Sequence, residues 1–452
     1  MYRYTRGLCI VTHVSVERGG ARPRTAYAGF AAFGAFWGVW GASVPAIRAQ
    51  AELGDGELGT ALLFIGAGAL PAMLVTGRAV DRWGLRVAAL LLVTLGAAGT
   101  LVAVAGRDFW SLSAGLALLG ASSGAADVAI NSAAGSAERA SGRPVITRAH
   151  GTFSALVVVG SLSAGLLGAL GAPVVVPFLL VAVAATGAAL GVVADARVAP
   201  VAAGAVRGGE RPEYAVSRAG ERKGSGRAEV QDGERHGDAV SRSGGRGVRL
   251  FPLLVVGALG ALAFAVENAH QSWGAVYLAD VADAGPALAS AGPAVFAAVV
   301  ALTRFAAGAL GSRHATTVLV SGAATAAAGT LLVSGARSVP VVLLGLALAA
   351  AGTAVLFPML MGVVAAQVGE AARGRATSVV STVAYLGFLA GPGYVGRWAE
   401  ATGLSGAMVA VAALAAALAA LSWPALRAAA RTGSWWDPGD LSPAKQASGR
   451  TS

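Results

Sequence analysis

Twelve apolar stretches, each about twenty residues long, constrain this 452-residue chain more than any other feature of its sequence. They run at about 26–47, 57–77, 86–105, 110–136, 150–170 and 173–193, then at 250–279, 286–310, 315–334, 340–366, 376–396 and 404–427. A helix of ~20 residues crosses ~30 Å of hydrocarbon, and a helix satisfies its own backbone polar groups where no water can. Composition agrees: hydrophobic residues make up 56% and charged residues 13% of the chain. A soluble domain carries about 25% charged residues, so this chain has too little charge to cover a soluble surface. The expected fold is an all-α membrane protein of twelve transmembrane helices in two six-helix bundles.

The gap between the sixth and seventh stretches, Asp195 to Arg249, is rich in Gly, Arg, Glu and Ser. Such a segment cannot bury a core, and it reads as a disordered linker rather than a domain. The organisation is then a tail at 1–25, a bundle at 26–193, a linker at 194–249, a second bundle at 250–427 and a tail at 428–452. The apolar run from Leu8 to Val14 is too short for a signal sequence, lacks a small-residue cleavage site and precedes Arg18, Arg22 and Arg24. It belongs to a basic tail, and Met1 can stand upstream of the true start. A shift of about 227 residues lays Ser154 and Gly160 on Ser381 and Gly387, and one of about 231 lays Gly77 and Arg82 on Gly308 and Arg313. Parallel repetition of two halves is a transporter signature, though Gly and Ala abound here.

Net charge is +11, but the basic residues lie between apolar spans rather than in an aromatic-interleaved patch, which argues against nucleic acid. They sort by side. Arg78, Arg82, Arg86, Arg139, Arg143, Arg148, Arg373 and Arg375 fall with the N-terminal tail, the linker, Arg313, Arg427 and Arg431; Arg48, Arg107, Arg337 and Arg397 fall opposite, beside Asp55, Glu57, Asp280 and Asp283. The positive-inside rule then places both termini in the cytoplasm. Arg and Ala dominate over Lys and Ile, as GC-rich bacterial codon usage produces, so the expected home is a bacterial cell membrane. One cysteine, Cys9, permits neither an intrachain disulfide framework nor a thiolate metal cluster.

Between the second and third spans stands Gly77-Arg78-Ala79-Val80-Asp81-Arg82-Trp83-Gly84-Leu85-Arg86. Gly77 suits close helix approach and Gly84 a tight turn, Asp81 can cap a helix or pair with Arg, and Arg82 and Arg86 stay at the cytoplasmic face. This segment resembles the signature loop of the major facilitator superfamily, G-x-x-x-D-R-x-G-x-R. The resemblance covers 26–427 apart from the linker, and it implies a gate that closes the cytoplasmic side in the outward-facing state. The second half, Gly308-Ala309-Leu310-Gly311-Ser312-Arg313, has Ser312 where the aspartate would stand, so only the first half carries the full motif. A finer resemblance is to the fucose-permease-like sugar branch and its bacterial relatives. It rests on Asp127 to Asn131 with Glu138, on His150-Gly151-Thr152-Phe153-Ser154, and on Glu267 to Leu278.

Ionisable residues inside spanning helices are costly and read as functional by default. In the fourth span Gly120, Ser123, Gly124, Asp127, Asn131 and Glu138 recur at three- and four-residue steps, which puts them on one helical face. That face either lines a cavity or packs a neighbour, with Glu138 near the cytoplasmic interface. The seventh span carries Glu267, Asn268, His270, Gln271 and Trp273; Glu267 and His270, three apart, are placed to share a proton, unless His270 already meets the outer interface. Trp37 and Trp40 in the first span offer rings for stacking on a solute or for packing. His150 opens the fifth span as an interfacial histidine, and Arg304 in the eighth either snorkels or pairs with a carboxylate.

Two motifs are set aside. Gly120-Ala121-Ser122-Ser123-Gly124 matches a nucleophile elbow but sits inside an apolar helix rather than at a strand-to-helix turn. Gly387 to Pro392 matches the G-x-x-x-G-P signature of drug/proton antiporters but stands in the eleventh span instead of the fifth. No Walker loop points to ATP. The reading is a gradient-driven secondary transporter of a small organic solute, leaning to a sugar-like solute moved by proton symport, with efflux by proton antiport close behind. A non-transporting receptor on the same fold and an intramembrane hydrolase resting on Ser122 are the rivals. The expected partners are the solute, a proton or other coupling ion, and the lipid bilayer. A monomer is expected, with no cofactor, no metal, no nucleic acid and no enzymatic activity.

Overall fold

A computed structural model describes residues 22–198, 249–307, 314–431 and 435. The loop at 308–313, most of both tails and most of the linker lie outside these residues. Thirteen helices follow in order: α1 (Pro23–Gln50), α2 (Asp55–Trp83), α3 (Leu85–Ala105), α4 (Phe109–Ser141), α5 (Val145–Ala169), α6 (Val175–Val198), α7 (Leu250–Val281), α8 (Pro286–Ala289), α9 (Ala291–Ala307), α10 (Ala315–Gly335), α11 (Val339–Ala354), α12 (Leu356–Gln367) and α13 (Glu370–Arg431). Among the described residues there is no strand.

The helix count is reconciled with twelve crossings by three interruptions. α8 and α9 together make the eighth crossing, and α11 and α12 the tenth. α13 is 62 residues long, about 93 Å at 1.5 Å per residue, three times the hydrocarbon thickness. It is broken at Gly403, whose φ of 74° and ψ of 169° lie outside helical space, so its limbs, 370–402 and 404–431, cross separately. The break between α11 and α12 has its cause three residues on. Pro358 has no N–H to give the Ala354 carbonyl four residues earlier, and its ring crowds that carbonyl.

Helix ends are built from local chemistry. Asp108 caps α4, accepting from the backbone N–H of Trp110 at 2.9 Å and of Ser111 at 3.0 Å. These bonds favour its charged form and hold its carboxyl below the usual carboxylate range. Glu57 reaches back to the Gly54 N–H at 3.1 Å to close the start of α2. α4 ends at Gly142 in the left-handed region, φ 63°.

The helices pack as two bundles, α1–α6 and α7–α13, and the pairings repeat. α1 lies along α5 as α7 lies along α13, and α3 lies along α6 as α10 lies along α13. Gly160 of α5 presses on the Ala35 carbonyl of α1, and Gly387 of α13 presses on the Ala261 carbonyl of α7. The equivalence suggested by the sequence shift is thus a packing equivalence. Leu74, Leu170, Val183, Leu190 and Leu302 are exposed on the outer surface, which suits a lipid solvent and no aqueous one.

Candidate functional site

The two bundles touch at more than one level, most closely at one end of the molecule. At the end that carries the α1–α2 and α7–α8 turns, Gly59 of α2 lies against Gly396 of α13, Gly41 of α1 against Pro293 of α9, and Gly165 of α5 against Ser290. The Ser161 hydroxyl donates to the Ser290 carbonyl across the same seam at 2.8 Å. Toward the opposite end, that of Arg82 and Arg139, Gly151 of α5 lies against the Phe305 ring of α9, and a side-chain carbon on Gly77 would meet open space. Backbone-to-backbone approach of the bundles is thus found at the glycine seam, and contact through a side chain replaces it toward the Arg-rich end.

Glu267 of α7 is buried between the helices, 8% exposed. Its Oε1 accepts from Gln271 at 3.1 Å and from Arg304 of α9 at 3.2 Å, and its Oε2 lies 3.4 Å from the same Arg304 nitrogen. Arg304 is therefore a carboxylate partner and not a snorkelling side chain. Its Nε donates to the Ala354 carbonyl at 3.2 Å, the carbonyl that Pro358 leaves without a helical N–H. Asn268 follows the same rule. Its amide donates to the Phe388 carbonyl, four residues before Pro392, and its oxygen accepts from Ser272 at 2.9 Å. The Gly387-to-Pro392 segment is thus a packing and carbonyl-freeing device for α7 in this fold.

His270 departs from expectation. Its Nδ1 lies 2.7 Å from the Val266 carbonyl and its Nε2 3.0 Å from the Thr330 hydroxyl, and its ring stacks on Phe296 at 5.6 Å. Nδ1 is placed to donate to the Val266 carbonyl, while the single Thr330 hydroxyl proton has both Nε2 and the Ala326 carbonyl, at 2.7 Å, as acceptors. His270 is 1% exposed and shares no hydrogen bond with Glu267 among the described residues, so the shared proton is not supported. Three-residue spacing put both side chains near one face, but the imidazole is turned into the second bundle.

In the first bundle, the Asn131 amide donates to the Asp127 carbonyl at 2.9 Å and to its Oδ1 at 3.0 Å. Both residues are half-buried, and no cation pairs with Asp127 among the described residues. The rest of the fourth-span face divides. Gly120 and Gly124 press against α2 at Ile65 and Ala69, while Glu138 accepts from the Ile146 N–H at 3.0 Å and so holds the start of α5. Trp37 is half-buried, edge-on to Phe33 and Phe36. Trp40 and Trp273 are enclosed in the core at 5% and 0% exposure, so they pack instead of shaping open space.

Sequence reasoning missed what joins the halves. Tyr385 of α13 lies within electrostatic reach of both Asp127 and Glu267, and His150 of α5 within reach of Arg304. His150 packs edge-on against Phe30 at 4.9 Å, and Tyr385 belongs to an aromatic group with Phe264, Phe357 and Phe388. Arg304 was visible in the sequence as a charge inside its span, but nothing local marks Tyr385.

The signature loop is ordered but unengaged. Gly84 turns α2 into α3 at φ 61° and donates to the Val80 carbonyl at 2.8 Å. Asp81, Arg82 and Arg86 are exposed and make no ion pair among the described residues, Arg82 lying over the Trp83 ring at 5.5 Å. A groove of about 270 Å³ between α3 and α6 touches only Arg86 of these residues and lies apart from the polar cluster.

The Major Facilitator Superfamily model matches residues 25–392 and, overlapping it, 277–439. The chain belongs to the major facilitator superfamily. Curated relatives are similar over most of their length. An uncharacterized transporter of Sinorhizobium fredii is 29% identical over 86% of this chain and 97% of its own, and an uncharacterized MFS-type transporter of Yersinia pestis is 28% identical over 83% and 88%. A membrane protein of Rhizobium meliloti, MosC, is 26% identical over 84% of each chain. Among solved structures, the nucleoside transporter NupG superposes with a TM-score of 0.65 at 13% identity, covering 90% of this chain and 99% of that one. A bacterial homolog of the human lysosomal transporter Spinster, inward-facing and occupied, gives 0.64 at 16% identity over 90% and 96%. These likenesses fix the fold of this facilitator, a multi-pass membrane transporter and not an enzyme.

Proposed function

We propose that this facilitator carries a small organic solute across a bacterial cell membrane by proton-coupled alternating access, as a monomer with both termini in the cytoplasm. The carrying observation is the pair of carboxylates, Asp127 and Glu267, one in each bundle and both within electrostatic reach of Tyr385. Arg78, Arg82, Arg86, Arg139, Arg143 and Arg148 mark their end as cytoplasmic by the positive-inside rule, and with the glycine seam closing the other end the proposed state is the cytoplasm-facing one. Asp81 and its neighbours, unengaged here, belong to the gate that closes that end after the rocking motion.

Asp127 carries the proton in this reading. It has an amide partner only, whereas Glu267 has a fixed countercharge in Arg304. Proton arrival at Asp127 removes an uncompensated charge from the seam and lowers the cost of closing it. A sugar-like solute moved by symport would stack on Trp37 and bond to Asp127, Asn131 and Gln271. The second reading, antiport of an apolar or aromatic solute, is favoured by the Phe264, Phe357, Tyr385 and Phe388 group. The amides of Asn131, Asn268 and Gln271 are also already engaged within the protein, which weakens the sugar-like reading.

The test uses proteoliposomes loaded with a pH-sensitive dye and a panel of sugars, nucleosides and cationic dyes preselected by thermal shift. The wild type should move protons on addition of a stabilising compound, in the same direction for symport and the opposite for antiport. Asp127→Asn should lose pH-gradient-driven flux while retaining solute exchange. Undiminished driven flux in Asp127→Asn ends the assignment of the proton to that residue.

A further inference from the structure

We infer that Arg48 is a latch holding the extracytoplasmic end shut, mounted on the first bundle and engaging the second through Asp280 alone. Arg48 stands near the end of α1, and three of its nitrogens are used. Nε donates to the Leu53 carbonyl at 3.0 Å, and Nη2 pairs with Asp55 at 2.9 Å, an ion pair without hydrogen-bond alignment. Both partners belong to the α1–α2 turn of its own bundle. Nη1 donates to Asp280 at the end of α7, in the other bundle.

The division of labour matters. Because Leu53 and Asp55 hold the guanidinium on the first bundle, parting the bundles breaks one charge-assisted bond and leaves no orphaned cation. The residues on either side of the seam are also held in unusual backbone. Glu52, between Arg48 and Asp55, has φ 56°, and Asp283, just past Asp280, has φ 49°; they are the only non-glycine residues with positive φ among those described. Such conformations persist where the surrounding structure over-determines them, and they cluster at clamps and switches. The turn at Glu52 presents the Leu53 carbonyl to Arg48, and that at Asp283 follows directly on the strike plate.

The latch also explains an imbalance. The opposite face collects most of the basic loop residues, whereas this face places its Arg48 between two acids beside the glycine seam. The two side chains are 20% and 43% exposed, so water and salt screen the pair and the latch is weak enough to cycle. It biases the equilibrium between the two access states without locking it.

The experiment needs no transported solute, so its result stands apart from the proton-coupling proposal. A single reporter, Leu389→Cys, is placed at the inter-bundle contact with Gly66, in a Cys9→Ser background. Labelling by a membrane-impermeant maleimide is compared from the two sides, using intact cells and inverted vesicles. Asp280→Asn should raise labelling from the Arg48 side by about two- to fivefold and lower it from the other side. Arg48→Asp combined with Asp280→Arg should return both rates toward the parent, because Arg at 280 then bridges to acids at 48 and 55. Unchanged labelling in Asp280→Asn overturns the latch. So does an equal rise from both sides, which reports a loosened protein rather than a shifted one.

Discussion

Arg304 shows how a spanning helix tolerates a full charge. Its guanidinium sits between the Glu267 carboxylate and the Ala354 carbonyl, and each partner exists for a separate reason: one is a buried acid, the other a carbonyl stripped of its helical donor by Pro358. Removing one member of such a pair costs more than removing both, because the survivor is left desolvated and unpaired. Arg304→Gln should therefore lower the melting temperature in detergent more than Arg304→Gln combined with Glu267→Gln. The coupling should be about 1–2 kcal/mol, held down by the 45% exposure of the arginine. A double variant less stable than Arg304→Gln would refute the pairing. At this scale the sequence was only partly legible. Glu267, Asn268 and Gln271 were visible as polar residues in an apolar run, and the Gln271–Glu267 bond lies within one helix, but their other partners, Arg304 and the Phe388 carbonyl, depend on how helices far apart in the chain are set side by side. His270 shows the limit most clearly, since three-residue spacing fixed its face but not the direction of its ring.

Among whole elements, the spans were legible because the demand that hydrocarbon makes on a helix is local: length, apolarity and internal hydrogen bonding. The interruptions of the tenth and eleventh-to-twelfth crossings were less so, although Pro358 and Gly403 stand in the sequence to mark them. The small residues of α1 are a packing surface. Gly34 and Gly38 bring α1 onto the backbone of α5 at Phe153 and Val157, leaving no space for a Cβ. Gly38→Leu should accordingly separate two helices of one bundle, costing about 1–3 kcal/mol by overpacking and reducing the folded yield in membranes. Fluorescence size-exclusion chromatography of the tagged protein would register this, and a normal peak height would contradict the packing.

Across the whole molecule, glycines at the bundle interface have a different job from those within a bundle. Gly59 of one bundle and Gly396 of the other approach backbone to backbone, and in the proposed cycle they part when that end opens. Gly59→Leu should leave folding intact, because each bundle still packs on itself, but should prevent the seam from closing. The impermeant reagent should then reach Leu389→Cys from the Arg48 side and transport should fall steeply; labelling at the parent rate would mean the seam is not a gate. The contrast between Gly38→Leu and Gly59→Leu, one losing protein and the other losing a state, is a property of the two-bundle architecture that no single helix possesses. The internal repeat was faintly readable in glycine spacing, and it proves to be repeated helix contact. Where the two bundles come closest was not readable, since one sequence must serve every state of a transport cycle.

The break at Gly403 carries a mechanical consequence. The eleventh and twelfth crossings are joined by a single residue, with no length of loop between them. Such a joint has no slack, so the 370–402 limb cannot slide lengthwise past the 404–431 limb, and in a rocking bundle it turns together with its neighbours about a point near this joint. Gly396 is close to the pivot and Glu370 is about 50 Å from it at 1.5 Å per residue. Equal turns of the limb therefore displace the two places very unequally: a shift of an ångström or two that breaks the glycine seam sweeps the far mouth through several times that distance. The narrow end is placed where fine contact decides the seal, and the wide end where a solute has to pass.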